Sequence, residues 1–365
     1  DRVAYTYFYP CGRCHACLHK EPAACPNKIE RPVGPAVFPH LHGAFADHYY
    51  LRPGGQLFKV PDALSDDVVA PVNCALAQVL SGLWVAGVRM GDRVLIQGAG
   101  GLGVQAAAVA KDMGASTVIV TDQIPGRLEL ARAFGADHTL NVKEVPERRD
   151  RVKQVRQWTE GVGVDVACDF VGFPAVIPEG IEMTRSGGTY LEIGTISRGA
   201  KLELEPSLLV WGSKKIQGVI QYDPWVIPRA LDFLMRTRTR FPWDRIISHK
   251  FALAQINEAF AASEWHGKDS HTITRAALTP CRAAGPGAVA SADRGGLDLA
   301  VVGHALQDLE DTVLHQRRHP FLLGAGEDPR HAGALLDAPL DRVGGEQELV
   351  DGDAAAVALA VAVLA

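Results

Sequence analysis

The middle of the chain alternates short apolar runs with longer segments whose apolar residues recur at helical spacing. "RVLIQ" at 93–97 and "TVIVTD" at 117–122 are apolar runs of strand length, and each leads into a helical segment that closes at a glycine, Gly114 and Gly135. Further strand-like runs lie at 164–172, 188–194 and 215–221, with helical segments between them. Strands that alternate with helices predict βαβ units and a parallel, doubly wound α/β sheet.

The segments on either side of this region follow other patterns. Residues 1 to about 75 read as short strands and loops, because Pro and Gly are frequent and helical periodicity is weak. After Pro224 a helical segment leads into "ISHKFAL", "AQINEAFAASE" and "HTITRAALTP", which reads as a return to the first domain. The pattern therefore divides the chain into a first domain at 1–75, an α/β domain at 76–222 and a return at 223–280.

The composition changes beyond Pro280. Residues 281–365 contain no Lys, Ile, Asn, Tyr, Trp or Met, and Ala, Gly, Asp, Arg, Leu and Val dominate. This bias predicts a disordered extension or an unrelated reading frame of GC-rich DNA, and a genuine accessory helical segment is the alternative.

Charge and cysteine usage exclude several classes of protein. The formal net charge of −5 argues against nucleic-acid binding, because contact with phosphates needs a basic face. The longest apolar run, residues 354–365, is too short to cross a bilayer, so no membrane partner is expected. Clustered thiols in a large chain suggest metal binding in a reducing compartment, and we therefore expect a cytoplasmic protein.

Four cysteines, Cys11, Cys14, Cys17 and Cys25, follow the spacing C-x2-C-x2-C-x7-C close to the start of the chain. Four thiolates at short spacing suit tetrahedral Zn²⁺, and four protein ligands leave no open position for water or substrate. The pattern therefore predicts a structural zinc lobe that unfolds when the metal is lost. An iron–sulfur cluster is the alternative, and disulfides are less expected still.

The stretch "GAGGLG" at 98–103 follows the first predicted strand directly and opens the first predicted helix. In that context the motif predicts a dinucleotide site. Gly98 permits the tight turn, Gly100 lets the backbone approach a pyrophosphate, and Gly103 lets the helix pack on the strand. With Gly101 and Leu102 between them, they form a helix N-terminus that offers free N–H groups to phosphates.

Asp122 ends the second predicted strand, about twenty residues after the motif. A carboxylate there accepts hydrogen bonds from ribose hydroxyls and repels a 2′-phosphate, which favours NAD over NADP. A role as a helix cap is the alternative. Arg127 lies nearby and is placed to stack on the adenine or brace the ribose, which leaves some room for NADP.

The four-cysteine lobe followed by this glycine motif resembles the zinc-dependent alcohol dehydrogenase branch of the medium-chain dehydrogenase/reductase family, over about residues 1–280. The resemblance implies part of a GroES-like, mainly β catalytic domain at 1–75 and a Rossmann domain at 76–222. It also implies hydride transfer between NAD(P)⁺ and an alcohol, aldehyde or ketone substrate. "WGSKKIQG" resembles the edge strand through which family members pair, so a homodimer or homotetramer is expected.

The resemblance also implies a catalytic zinc in the intact protein. "APVNCALA" places Cys74 at the position of one ligand, and a buried inert cysteine is the alternative. Gly194, which ends "YLEIG", resembles the turn beside the nicotinamide ring. The other ligands, a cysteine and a His–Glu pair, belong upstream of Asp1. Close to a quarter of a usual subunit is therefore expected to be missing. We expect this chain to bind one zinc ion and to show negligible dehydrogenase turnover.

Two other functions stay open at this point. A zinc-free reductase of enoyl or quinone substrates would share the superfamily fold, but such proteins generally lack a four-cysteine lobe. An inactive fragment that at most binds nucleotide is the second alternative, because catalytic ligands are absent and the composition beyond Pro280 is unusual.

Overall fold

A computed structural model describes residues 1–28, 43–51, 55–196, 199–263 and 273–280 of the chain. The predicted tail at 281–365 lies outside the described residues. The strands are β1 (Val3–Tyr5), β2 (Leu57–Lys59), β3 (Arg93–Gln97), β4 (Thr117–Asp122), β5 (His138–Asn141), β6 (Val164–Asp169), β7 (Thr184–Glu192), β8 (Lys215–Gly218), β9 (His249–Ala252) and β10 (Ala276–Thr279).

The α-helices are α1 (His15–Leu18), α2 (Asp66–Val69), α3 (Ala77–Val85), α4 (Gly101–Asp112), α5 (Pro125–Ala133), α6 (Arg148–Trp158), α7 (Ile177–Met183), α8 (Ser207–Val210), α9 (Val226–Thr237) and α10 (Ile256–Ser263). A π-helix, Val72–Leu76, lies between α2 and α3. Short 3₁₀ helices span Pro22–Ala24, Pro174–Val176, Trp243–Arg245 and Leu253–Gln255.

The central element is a six-stranded parallel sheet with the strand order β5-β4-β3-β6-β7-β8. Chain order reverses between β3 and β6, so the crevice at the carboxyl ends of these two strands is where ligands bind in such sheets. The predicted doubly wound parallel sheet is confirmed.

Helices cover both faces of this sheet. Val94 and Ile96 of β3 belong to a core shared with α3, α4, α5 and α9, whereas Leu95 belongs to a second core with α6 and α7. Successive residues of one strand thus supply two different cores. This explains why β3 reads as an uninterrupted apolar run rather than as an alternating one.

Three of the predicted strands end earlier in the structure than the sequence pattern suggests. β6 ends at Asp169, β7 at Glu192 and β8 at Gly218, although apolar residues continue beyond each of them. Gly172 has φ +86° and turns the chain away from the sheet. β5, which has only four residues, was not predicted.

Two further pairs of short strands lie outside the central sheet among the described residues. β1 pairs antiparallel with β2, with Ala4 opposite Phe58, and β9 pairs parallel with β10. The helical run Asp66–Val85 then leads into the sheet. It is long and apolar enough to cross a membrane by length and composition alone, but 61% of its most apolar window is buried inside the fold. It is therefore placed as a core helix.

Candidate functional site

The four clustered cysteines converge in space. The Sγ atoms of Cys11, Cys14, Cys17 and Cys25 all lie within 4.8 Å of one another. The Sγ of Cys14 is 3.5 Å from that of Cys17 and 3.7 Å from that of Cys25. Zn–S bonds of about 2.3 Å in a tetrahedron place sulfur atoms about 3.8 Å apart, so the donor set fits zinc.

The backbone of the lobe favours charge on one of these thiols. The N–H of Arg13, with a smaller contribution from that of Cys14, lowers the pKa of Cys11 to about 6. Desolvation in the cluster, with the neighbouring thiol of Cys14, raises the pKa of Cys17 to about 12. Four thiolates at this distance would repel one another, and a divalent cation would compensate their charge.

The glycine motif forms the turn between β3 and α4. Gly98 has φ +93°, a conformation that residues with a side chain rarely adopt. A Cβ on Gly103 would lie 1.8 Å from the carbonyl oxygen of Gly98, so only glycine lets α4 pack on the turn. A Cβ on Gly100 would meet nothing within 4 Å, which leaves its backbone open to a ligand.

The turn opens into a cleft of about 380 Å³ at the carboxyl edge of the sheet, a volume typical of small-molecule sites. Phe170, Val171 and Phe173, from the loop after β6, form an apolar wall of this cleft. Six of the residues that the sequence singled out also line it: Gly98, Gly100, Gly101, Leu102, Asp122 and Arg127.

Asp122 is held beside the glycine turn by its own backbone contacts. One carboxylate oxygen accepts the N–H of Ala99 at 2.7 Å, and the other accepts the N–H of Ile124 at 2.8 Å. Each oxygen keeps a second lone pair for a hydroxyl donor. Arg127 donates from Nη2 to the carbonyl of Ile273 at 2.9 Å. Burial lowers the pKa of Arg127, and the charge of Asp122 opposes that shift.

Arg275 lines the same cleft, although no sequence motif marks it as a ligand. Its side chain is buried, and its Nε would lie 2.8 Å from a Cβ on Gly101, so the guanidinium sits against the first turn of α4. Within the described part of the chain, this Nε donates no hydrogen bond. A buried cation with an unused donor beside a helix N-terminus is suited to bind a phosphate.

Cys74 lies in the π-helix that precedes α3 and is half-buried. Burial raises the pKa of its thiol, whereas the charge of Arg275 and a hydrogen bond with Tyr7 lower it. Cys74 and the glycine turn therefore share Arg275 as a neighbour. Among the described residues, the four-cysteine lobe is the only group of three or more His, Cys, Asp or Glu side chains placed to hold a metal.

Gly194 does not line the cleft but lies behind it. A Cβ at this position would be 2.6 Å from Oδ2 of Asp169 and 2.6 Å from the backbone nitrogen of Gly172. The close approach of the loops after β6 and β7 therefore requires glycine here.

Comparisons with known proteins agree with these features. A family model described as zinc-binding dehydrogenase matches residues 101–236. The chain is 31% identical over 264 residues to L-threonine 3-dehydrogenase of Thermococcus kodakarensis, covering 71% of this chain and 70% of that protein. It is 32% identical over 238 residues to sorbitol dehydrogenase of Bacillus subtilis, covering 64% of this chain and 63% of that protein.

Among solved structures, an alcohol dehydrogenase from Thermotoga maritima matches with a TM-score of 0.69 at 29% identity. That match covers 76% of this chain and 75% of that one.

Proposed function

Because this chain belongs to the zinc-dependent branch of the medium-chain dehydrogenase/reductase family, we propose that its cleft binds NAD for hydride transfer to and from an alcohol. One observation carries the proposal: the glycine turn, the N-terminus of α4 and the unused donor of Arg275 meet in a single cleft. Residues 76–222 then form the nucleotide-binding domain, and residues 1–75 and 223–280 belong to the catalytic domain.

The diphosphate binds at the first turn of α4. The first N–H groups of a helix have no partner within it, Gly101 and Leu102 of that turn line the cleft, and Gly100 allows the ligand to approach the backbone closely. Arg275 adds a full positive charge. Because its guanidinium is already buried in the folded chain, ligand binding does not have to remove water from it. Phosphate oxygens would supply the hydrogen bond that its Nε lacks.

The adenosine ribose lies against Asp122. Its carboxylate is fixed by the N–H groups of Ala99 and Ile124 and accepts further hydrogen bonds from ribose hydroxyls. A 2′-phosphate at that place would meet a buried negative charge. We therefore assign NAD as the preferred cofactor, with Arg127 bracing the adenosine end.

Replacing the charge at position 122 should change cofactor choice. Asp122→Asn removes the repulsion of a 2′-phosphate, and we expect the ratio of NADPH to NADH affinity to rise about tenfold. Fluorescence titrations with both nucleotides measure the ratio, and Asp150→Asn on the exposed face of α6 is the control. An unchanged ratio in a folded Asp122→Asn variant would remove Asp122 from the ribose site.

Zinc has two roles in this proposal. The ion in the four-cysteine lobe is structural, because all four positions are protein thiolates. A second ion near Cys74, when bound, acts as a Lewis acid that lowers the pKa of an alcohol hydroxyl. Cys74 would supply one thiolate, and the nearby charge of Arg275 favours that thiolate. The substrate class is an alcohol or polyol and its aldehyde or ketone.

The assembly we propose is a homodimer, or a homotetramer built from such dimers, that forms through β8. This strand is the edge of the sheet, and Ile216 within it is 43% exposed. Nearby in sequence, Val210 is 76% and Trp211 90% exposed, so exposed apolar side chains cluster in the segment that leads into this strand. The four thiols of the lobe need a reducing environment, which favours the cytoplasm.

Substitution of Arg275 tests whether the cleft binds a diphosphate. Truncating a buried cation that binds phosphate costs about 1.5–3 kcal/mol, so Arg275→Ala should weaken NADH binding about 10- to 100-fold. Isothermal titration of the full chain measures this, with Arg245→Ala at an exposed position as the matched control. Equal affinity in the Arg275→Ala variant and the control would contradict the proposed diphosphate site.

A further inference from the structure

Two carboxyl groups face each other behind the cleft. Asp169 and Glu192 end the neighbouring parallel strands β6 and β7, and they are register partners. Register partners project to the same face of a sheet, so their side chains lie side by side. Asp169 has no exposed surface. Two ionised carboxylates in this position repel each other, so the arrangement needs a proton or a cation.

No cation is supplied from the described part of the chain, where neither carboxyl forms an ion pair. The register partners on the outer sides are Gln97 on β3 and Gly218 on β8, and neither is charged. The titratable neighbours of the pair are Cys168 and Tyr190, and Glu179, which acts on Tyr190, is ion-paired with Arg151. Burial raises the pKa of Cys168 and of Tyr190, so both stay neutral.

The hydrogen bonds indicate where a proton sits. Oδ1 of Asp169 accepts the N–H of Val171 at 2.7 Å and Oδ2 accepts the hydroxyl of Thr195 at 3.4 Å, so both oxygens of this carboxyl act as acceptors. Oε1 of Glu192 accepts the N–H of Thr195 at 2.8 Å. Oε2 of Glu192 is buried and accepts no hydrogen bond from the described part of the chain, and the carboxyl of its register partner Asp169 lies beside it. This oxygen is satisfied if it carries the proton and donates it to Asp169.

The pair joins two turns that flank the cleft. The loop after β6 is anchored on Asp169 through Val171, which lines the cleft. The Cγ2 of Val171 is 3.0 Å from the position of a Cβ on Gly98, so it packs directly on the glycine turn. The loop after β7 is anchored on Glu192 through the N–H of Thr195.

We propose that Asp169 and Glu192 share one proton and act as positioning residues that hold the Val171 and Thr195 turns together behind the cofactor cleft. The effect on cofactor binding rests on the proposed function, but the shared proton does not. When the proton is lost, the two carboxylates repel and the turns separate. Cofactor affinity then falls at a pH at which the bound nucleotide itself keeps its charge.

The pH window follows from the surroundings of the pair. Burial, assisted by the charge of Asp169, raises the pKa of Glu192 from 4.5 to about 7, while the N–H of Thr195 opposes the shift. Burial likewise raises the pKa of Asp169. The folded chain therefore binds more protons than the unfolded chain between pH 4.5 and 7, and the stability contributed by Glu192 is lost as the pH rises through that window.

Hydrogen exchange of the full chain tests the pair without any cofactor. We expect the protection factors of the Val171, Gly172 and Thr195 amides to fall at least tenfold between pH 6 and 8.5. Glu192→Gln keeps an acceptor for Thr195 and a permanent donor for Asp169, so its protection should stay constant. Asp169→Asn is a second variant without the shared proton, and Glu160→Gln, at an exposed turn, should behave as the wild type.

Cofactor titration is the second arm. If only the protonated pair holds the binding geometry, NADH affinity falls about tenfold between pH 6 and pH 8 in the wild type and stays flat in Glu192→Gln. If amide protection and NADH affinity are both independent of pH in the wild type as well as in the variants, Asp169 and Glu192 do not share a proton. A wild type that binds no NADH at any pH overturns the proposed function instead, and the exchange data still decide on the shared proton.

Discussion

Removing zinc from the four-cysteine lobe should unfold residues 11–27 while the six-stranded sheet stays intact. The lobe has little apolar core of its own: of its four thiols only Cys25 is buried, and α1 has no buried residue. Structural zinc in such sites contributes about 10 kcal/mol or more of apparent binding free energy. The lobe is tied to a distant segment by a hydrogen bond from the N–H of Ala23 to Asp223 at 3.0 Å.

Zinc release measured with a colorimetric chelator, followed by hydrogen exchange, tests this expectation. Cys25→Ser should lower the zinc content by about one ion per chain, because the tetrahedral site is incomplete when any one of its four thiolates is removed. Cys74→Ser, which changes a cysteine outside the lobe, is the matched control and should keep that ion. An unchanged zinc content in Cys25→Ser would mean that the lobe does not bind the metal.

Gly103→Ala should have the largest effect of any single substitution in the nucleotide turn. Its new Cβ would lie 1.8 Å from the carbonyl oxygen of Gly98, and the contact is with backbone, which cannot rotate away. Either α4 moves off β3 or the turn deforms. Overpacking of this kind costs about 3 kcal/mol, and we expect NADH binding to be lost as well.

Gly100→Ala separates packing from ligand approach. A Cβ there meets nothing within 4 Å, and the residue has an ordinary φ of −71°. We expect a loss of about 1 kcal/mol or less from the weaker helix cap, together with clearly weaker NADH binding. Urea unfolding and titration of both variants give the comparison. Equal destabilisation by the two substitutions would contradict the packing role assigned to Gly103.

Local patterns account for the parts of the fold and site that the sequence predicted. The four cysteines lie within one short segment, so their spacing alone indicates a shared metal. The glycine motif follows β3 directly, and both strands that flank it are long apolar runs. β5 escaped prediction because His138–Asn141 is short and only Leu140 is fully buried.

Features that depend on distant contacts gave no such signal. Arg275 reaches the first turn of α4 from the segment before β10, and nothing in "HTITRAALTP" marks it as a ligand. The pairing of Asp169 with Glu192 depends on the register of β6 against β7, which the sequence does not reveal. Gly194 was assigned to the nicotinamide turn, whereas the structure places it against Asp169 behind the cleft, and its contact with the cofactor stays a prediction.

The most direct test of the nucleotide site is a calorimetric titration of the chain of residues 1–365, folded and loaded with zinc, with NADH and then with NADPH. We predict saturable heat with one site per chain and a higher affinity for NADH, because Asp122 repels a 2′-phosphate. A chain with an intact sheet that gives neither heat nor saturation with either nucleotide would contradict the proposal that the turn at Gly98–Gly103 binds a dinucleotide.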